Sequence, residues 1–255
     1  MPAKKDFCFG VVRRFPFGFL ELSRASRISL LYHRSPSPRP WPRFTGRTLS
    51  RSSTVLADPG VYGYGVKVND RNELLVPGRD VEGFIHTLQT VNQDGKFFVA
   101  GSRKTGTFHT IDPDRTMGNP QTPILIAEGY ATAASVHMAI GEPVHAAFDA
   151  GNLKHVAEAL HGKYPDRSVV ILSDNDHQQS GNPGVTKAQA AARAVGGQFV
   201  VPLFSDAEKA KGLTDFNDLH ATRGLEAVRK QLEPVLQKVR GKGLEQQEDG
   251  LAMSL

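Results

Sequence analysis

The sequence contains a single cysteine, Cys8, in 255 residues. One cysteine cannot form a disulfide within the chain, and it cannot supply the ligands of a four-cysteine zinc ribbon. The sequence also lacks any apolar run of about 18 residues, so it predicts no membrane-spanning helix. With 39% hydrophobic residues, the chain has enough apolar material for the core of one or two domains. We therefore expect a cytoplasmic protein that makes no membrane contact.

Acidic residues are scarce at the start of the chain. Residues 1–57 contain 11 Lys and Arg against Asp6 and Glu21, so this segment carries a net charge of +9, whereas the whole chain carries +5. The remaining residues therefore carry −4. Because the positive charge is concentrated in one segment, the overall basic balance is no indication that the rest of the chain binds DNA.

The basic segment is also rich in Ser and Pro and shows no hydrophobic period. We expect residues 1–57 to form a disordered extension, because such a composition cannot bury enough apolar surface to fold. Three interpretations stay open, namely a segment that is not native to the protein, a nucleic-acid-binding tail and an organellar targeting peptide. Residues 241–255 are rich in Gly, Glu and Gln, and we expect a disordered tail there.

Two folded regions are predicted between these ends. Residues 60–115 contain short apolar runs separated by turn pairs such as Asp94-Gly95, which is typical of a small antiparallel β subdomain. Residues 121–240 alternate between strand and helix, which predicts an α/β domain with a parallel sheet flanked by helices. The expected strands are 124–127, 144–148, 168–173 and 198–203, and the expected helices are 130–140, 152–162, 185–195 and 224–239.

Three acids directly follow apolar strands of this second region. Glu128, which precedes Gly129, follows the first strand, and Asp174 and Asp176 follow the third. Because the carboxyl ends of parallel strands meet at one edge of a sheet, we expect these carboxylates to gather there. Gathered carboxylates repel one another and call for a cation, and oxygen ligands suit Mg²⁺, with Mn²⁺ as the alternative. Taken singly, Glu128 could be a helix-start acid and the two aspartates a surface turn.

These residues carry a family resemblance. Glu128-Gly129 and Asp174-Asn175-Asp176 resemble the two motifs of the TOPRIM domain, the metal-binding catalytic domain of bacterial-type primases, topoisomerases and some nucleases. The stretch Leu213-Thr-Asp215-Phe-Asn-Asp218-Leu219 resembles a box found in plasmid and phage primases. The resemblance covers about residues 60–235. It implies a Rossmann-like TOPRIM sheet in a DNA primase of the conjugative-plasmid TraC type or the phage type.

The resemblance also implies roles for individual residues. Glu128, Asp174 and Asp176 would be catalytic and metal-binding, and Asp215 and Asp218 would complete the metal site. Asp215 could instead cap a short helix. The β subdomain would line the template and nucleotide groove, and Lys187 would reach a phosphate from the helix that follows Asp176. The other cations that would bind nucleic acid or nucleotide, unless they are solvated hairpin residues, are Arg71, Arg79, Lys96, Arg103 and Lys104.

The implied activity is Mg²⁺-dependent nucleotidyl transfer. A primase catalytic core would join ribonucleoside triphosphates into short RNA primers on a single-stranded DNA template, in plasmid conjugation or replication. A replicative helicase or the conjugation machinery would be its partner. Two alternatives stay open, namely a TOPRIM nuclease and a non-catalytic conjugation protein that binds single-stranded DNA. A topoisomerase is excluded by the resemblance, because its nucleophilic tyrosine comes from a further domain that does not match here.

Overall fold

The computed structural model describes residues 47–48, 54–57 and 60–252, and it describes Thr48, residues 54–57 and residues 241–252 by their backbone alone. Most of the predicted basic extension therefore lies outside the described residues. Two short strands do fall within it, β1 (Arg47–Thr48) and β2 (Thr54–Ala57), where the sequence predicted no regular structure. None of the helices in the described part of the chain is both long and apolar enough to span a bilayer.

The first sheet is antiparallel and has the spatial order β1-β4-β5-β6-β7. The turn between β6 and β7 uses Gly95 at a φ of 137°, a conformation that favours glycine. The expected antiparallel sheet is confirmed. β2 pairs with β3 in a separate two-stranded ribbon, and the strands introduced here are β3 (Gly60–Tyr62), β4 (Lys67–Val68), β5 (Leu74–Arg79), β6 (Ile85–Asn92) and β7 (Gly95–Phe98).

The second sheet has the order β12-β11-β9-β10-β8, and its last four strands in sequence run parallel. The strands are β8 (His109–Ile111), β9 (Ile124–Ala127), β10 (Val144–Ala146), β11 (Val169–Leu172) and β12 (Gln198–Val200). The expected α/β class is confirmed. One difference concerns β8, which the sequence analysis assigned to the small β subdomain. It instead forms the antiparallel edge of this sheet, where Ile111 pairs with Val144.

Within the described residues, six α-helices accompany the second sheet. The sequence patterns predicted α1, α2, α3 and the start of α6, but they missed α4 and α5, which are too short to show a clear period. α6 continues through residues 241–252, where a disordered tail was expected, because Leu244 and the Glu and Gln residues after it favour helix despite three glycines. The helices are α1 (Tyr130–Ile140), α2 (Leu153–Lys163), α3 (Pro183–Ala194), α4 (Asp206–Ala210), α5 (Phe216–Arg223) and α6 (Leu225–Ala252).

The parallel sheet is covered on both faces, so its three central strands β9, β10 and β11 are buried throughout, whereas the edge strand β12 is partly exposed. Leu125 and Val170 face one core, which includes apolar residues of α1, α5 and α6. Ile126 and Ile171 face the other core, which α2 and α3 complete. This two-sided burial explains why the strands read as continuous apolar runs, and it leaves the loops at their carboxyl ends as the open edge.

Asn152, just before α2, connects two parts of the molecule. One is the segment that follows the first sheet, and the other is the second sheet. It is 2% exposed, and its amide nitrogen donates to the carbonyl oxygens of Thr107 at 2.9 Å and Ala147 at 2.8 Å. Its amide oxygen accepts a hydrogen bond of 2.8 Å from the backbone N–H of Gly106. One side chain thus satisfies buried backbone groups of two regions that are 45 residues apart in sequence.

We expect Asn152→Ala to lower the free energy of unfolding by about 3 kcal/mol, because it leaves several buried backbone groups without partners. Chemical denaturation measures this change. Gln237→Ala is the control, since the amide of Gln237 is exposed on α6 and bonds only to Glu233 one turn away. If both variants unfold at the wild-type midpoint, Asn152 does not join the two regions as described.

Candidate active site

The candidate site begins where β9 and β11 end side by side. Ala127 and Leu172 are paired in register on these neighbouring parallel strands, so the residues that follow them emerge at the same edge. Glu128 is only 9% exposed there. Glu128 is the first residue after β9, and Asp174 is the second residue after β11. The parallel register thus brings two acids together that are 46 positions apart in the sequence.

Both acids carry a buried oxygen without a partner. Within the described residues, Glu128 Oε1 and Asp174 Oδ1 accept no hydrogen bond. Burial raises the pKa of the Glu128 carboxyl well above its usual range, and the negative charges of nearby acids add to this effect. Burial also raises the pKa of Asp174, with a further contribution from the charge of Glu128. The carboxylates of this site therefore repel one another when they are ionised, and a bound cation would relieve that repulsion.

Asp176 lies beside this pair and is held by the start of α3. Its Oδ2 accepts a hydrogen bond of 2.9 Å from the backbone N–H of Gly184. A Cβ on Gly184 would lie 2.5 Å from the backbone oxygen of Asp174, so only glycine allows α3 to approach this closely. The charge of Asp176 contributes to the raised pKa values of both Glu128 and Asp174.

The loop after β11 is fixed to the segment that precedes α5. The backbone N–H of Asn175 donates to the carbonyl oxygen of Thr214 at 2.7 Å. One ring nitrogen of His177 lies 3.0 Å from the carbonyl oxygen of Lys209 in α4, and the other lies 2.9 Å from the carbonyl oxygen of Asn175. These bonds set the position of the aspartates relative to α4 and α5.

Asp215 reaches the site from the start of α5. It caps that helix, because its Oδ1 accepts the backbone N–H of Asp218 at 2.8 Å. Its Oδ2 accepts the Thr132 hydroxyl at 2.8 Å. Burial raises the pKa of Asp215, and its charge in turn raises the pKa values of Glu128 and Asp174. Asp215 thus caps α5, as the alternative interpretation expected, and it also lies near the acid pair; its role as a metal ligand stays a prediction.

Asp218 does not share this second role. Its Oδ2 accepts the backbone N–H groups of Thr214 at 2.6 Å and Asp215 at 3.3 Å, which completes a reciprocal capping box. The carboxylate that the sequence offered as a metal ligand is thus engaged in starting α5. Of the two aspartates in this box, the structure brings Asp215 to the acid pair.

Two of the expected cations lie beside the acids. The ammonium of Lys96 lies 3.7 Å from the position that a Cβ atom would occupy if Gly129 had one. Its positive charge favours the ionised form of Asp174. Lys104 forms an ion pair with Asp149, whose own charge raises the pKa of Glu128. Lys96 of the first sheet and Lys104 of the chain that follows it thus place positive charge beside the acidic edge of the second sheet.

Asp149 is a site residue that the sequence analysis missed. It is the third residue after β10, whereas Glu128 directly follows β9, but it also ends an apolar run (144–148), so the same argument could have found it. The residue before it, Phe148, has a φ of 76°, which is a strained conformation for a residue with a side chain. The buried packing of Phe148 against Phe98, with ring centroids 5.5 Å apart, holds this conformation in place.

The other four expected cations lie elsewhere. Arg71 is exposed in the turn between β4 and β5, where its charge acts on Glu73. Arg103 lies 3.4 Å from Asp80 in an ion pair. The remaining two are Arg79, which lines a separate cleft, and Lys187, which is exposed on α3.

The chemistry of the acidic edge fits a hard divalent cation. The unpartnered oxygens of Glu128 and Asp174 and the raised pKa values of both groups show a deficit of positive charge. The available ligands are oxygens, which Mg²⁺ and Mn²⁺ prefer. In the part of the chain that the structure describes, no three acids or histidines are already arranged around one ion position. An ion would therefore draw the carboxylates together.

The raised pKa values predict how stability depends on pH. Because Glu128 and Asp174 hold their protons to higher pH in the folded protein than in the unfolded chain, the free energy of unfolding falls as the pH rises from about 4 through neutrality. Without divalent ions, we expect Asp174→Asn to raise the melting temperature by about 3–8 °C near pH 8, because the Asp174 carboxyl must take up a proton on folding and the neutral amide does not. The gain should shrink near pH 5.

Asp206→Asn is the matched control for this experiment, since it makes the same change at an exposed carboxylate. It should melt with the wild type at both pH values. If Asp174→Asn melts at or below the wild-type temperature near pH 8, the acids are not under the repulsion described here.

Comparisons with known proteins show what this chain is similar to. Residues 123–226 match the model of the Toprim domain. The chain is 42% identical over 170 residues to a DNA primase TraC of Escherichia coli and 38% identical over 179 residues to a second one. These alignments cover 64% and 68% of this chain. They span 16% and 12% of the two relatives, so the chain corresponds to a small part of either protein.

A solved structure shares the fold. The primase fragment of the bacteriophage T7 primase-helicase protein superimposes with a TM-score of 0.52, covering 78% of this chain and 83% of the fragment at 16% identity. Residues 123–226 are therefore similar to the Toprim domain, in a chain that is related in sequence to DNA primase TraC over nearly two thirds of its length.

Proposed function

We propose that this chain is a primase catalytic core that synthesises short RNA primers on single-stranded DNA. The observation that carries the proposal is the pair of buried acids, Glu128 and Asp174, faced by Lys96 and by the Lys104–Asp149 ion pair. Nucleotidyl transfer needs negative charge to hold a metal and positive charge to hold phosphates, and this edge of the sheet supplies both. The sequence similarity to DNA primase TraC supports the same function.

Glu128 and Asp174 would hold Mg²⁺ or Mn²⁺, with Asp176 and Asp215 as the adjacent acids. The bound ion would neutralise the phosphates and lower the pKa of the attacking 3′-hydroxyl. Asp218 would bind no metal, because its carboxylate completes the cap of α5. Asp149 would orient Lys104 through their ion pair, so that the ammonium faces the phosphates of nucleotide or template.

Glu128 would also act as the general base. Its Oε1 has no hydrogen-bond partner in the described residues and can therefore accept a proton from the substrate. The proton would pass from the attacking 3′-hydroxyl of the growing primer to Oε1 of Glu128. Burial beside β9 keeps competing water away from this oxygen.

The substrates would be ribonucleoside triphosphates and a single-stranded DNA template, and the protein would work in the cytoplasm in plasmid conjugation or replication. A helicase or the conjugation machinery would be the partner. Two alternatives use the same residues. A TOPRIM nuclease would hydrolyse a phosphodiester at Glu128 and Asp174, and a non-catalytic protein would bind single-stranded DNA through Lys96 and Lys104.

One assay separates the three functions. With Mg²⁺, ribonucleoside triphosphates and single-stranded DNA, the wild-type protein should make new oligoribonucleotides. We expect Asp174→Asn and Glu128→Gln each to reduce synthesis by at least about 100-fold, because one loses metal charge and the other loses the proton acceptor. Asp206→Asn should retain full synthesis. Shortened DNA would indicate a nuclease, and a mobility shift without products would leave only binding.

The cations should produce a different defect. We expect Lys104→Ala to weaken single-stranded DNA or nucleotide binding by about three- to tenfold, because a phosphate contact is lost and Asp149 is left without its partner. Glu128→Gln should leave this binding intact or strengthen it slightly. Lys230→Ala on α6, which removes an exposed ammonium, serves as the control for charge in a filter-binding or anisotropy titration. Equal affinities for Lys104→Ala and Lys230→Ala would remove Lys104 from the proposed binding path.

A further inference from the structure

A second cleft lies away from the acidic edge. It has a volume of about 250 Å³ and is formed by the loop between β5 and β6, by β8 and by the carboxyl end of α2. None of the site acids Glu128, Asp149, Asp174, Asp176 and Asp215 lines it. The residues that matter most for its chemistry are Arg79, Val81, Phe108, His145, Leu160 and Tyr164.

Three cations with neutral partners lie at or beside this cleft: Arg79 lines it, whereas Lys163 and Arg167 contact its lining residues Val81 and Met117. The guanidinium of Arg79 donates to the carbonyl oxygen of Gly83 at 2.8 Å, and the ammonium of Lys163 donates to the carbonyl oxygen of Val81. The third is Arg167, which donates to a backbone carbonyl oxygen at 2.7 Å. Within the described residues, none of the three forms an ion pair. Each can therefore still neutralise an anion.

The two cations at the end of α2 share an aromatic ring. Arg167 lies 4.5 Å and Lys163 lies 5.8 Å from the centroid of the Tyr164 ring. Lys163 also bonds to Val81 in the loop that follows Arg79. This bond places the Lys163 ammonium beside the cleft that Arg79 lines. An aromatic face beside cations is the combination that binds a base together with its phosphate.

The acids near the cleft are already engaged or exposed. The Asp80 carboxylate is held by His86 at 2.5 Å and by Arg103 at 3.4 Å. Asp112 accepts two backbone N–H groups of the following turn, at 2.7 and 3.1 Å. Glu82 is exposed on the loop. Asp80 and Asp112 therefore use their charge locally and do not neutralise the three cations.

The inner wall of the cleft is apolar apart from one nitrogen. Phe108 is 5% exposed and packs edge-on against His145, which is 1% exposed. His145 Nδ1 lies 3.0 Å from the Thr110 hydroxyl, whereas Nε2 has no partner in the described part of the chain. Burial lowers the pKa of His145 to about 4, so the ring is neutral at physiological pH. A neutral ring nitrogen suits the polar edge of a heteroaromatic ligand.

We propose that this cleft binds one nucleotide unit, with its base against Tyr164 and the Phe108 wall and its phosphate on Arg79, Lys163 and Arg167. The volume of about 250 Å³ admits a single base and excludes a duplex. The unit could belong to a single DNA strand that extends beyond the acidic edge, a source that rests on the proposed function. It could equally be a free nucleotide.

The test compares a variant carrying both Lys163→Ala and Tyr164→Ala with Lys154→Ala, which removes an exposed ammonium from the same helix. Fluorescence anisotropy measures a labelled long oligodeoxythymidylate, and calorimetry measures AMP. The double variant should bind one of these probes at least about fivefold more weakly. If the strand is the ligand, the salt dependence should also lose about one unit of slope. Lys154→Ala should match the wild type.

The two probes distinguish the sources of the nucleotide. Weaker oligonucleotide binding with unchanged AMP binding assigns the cleft to the strand, and the converse assigns it to a free nucleotide. Arg79→Ala provides a second, independent variant in case the double substitution lowers stability, and it should weaken the same probe. If both variants bind oligonucleotide and AMP as Lys154→Ala does, the inference is overturned. The proposed primase activity would survive that result, because it depends on Glu128 and Asp174.

Discussion

The burial of unpaired negative charge at the ends of two neighbouring strands is the constraint on which the rest of the structure depends. The in-register pairing of β9 with β11 places Glu128 and Asp174 together, and the apolar faces of the sheet keep water from them. Isolated buried carboxylates are costly, so they persist where a function requires them. Burial raises the pKa values of both groups, and the negative charges of the neighbouring acids raise them further.

The neighbouring parts of the chain can be understood as supports for this edge. α5 begins at a capping box that leaves Asp215 close to the acids, and Gly184 lets α3 approach the Asp174 backbone. The first sheet contributes Lys96 from β7 and Lys104 from the chain that follows it. Asn152 fixes that chain to the second sheet, so the cations stand at a constant position relative to the acids.

The sequence predicted the acidic edge because its signal is local, an apolar strand that ends in an acid. The same signal after β10 would have identified Asp149, whose strand is only three residues long. The sequence could not show that Asp149 pairs with Lys104, because the two lie 45 residues apart, nor that Arg79 lines a different cleft. It also could not separate Asp215 from Asp218, because a capping box and a metal site use the same residue types. Only the direction of each carboxylate distinguishes them.

Titration calorimetry of Mg²⁺ in buffers of different ionisation enthalpy tests the central claim most directly. Because Glu128 and Asp174 hold protons more tightly than ordinary carboxyls, a cation that binds between them must displace protons into the buffer. The account predicts saturable binding near neutral pH with a heat that depends on the buffer, and it predicts that Asp174→Asn loses both the binding and the proton release. Saturable binding that is unchanged in Asp174→Asn, or the absence of any Mg²⁺ binding by the wild-type protein, would contradict it.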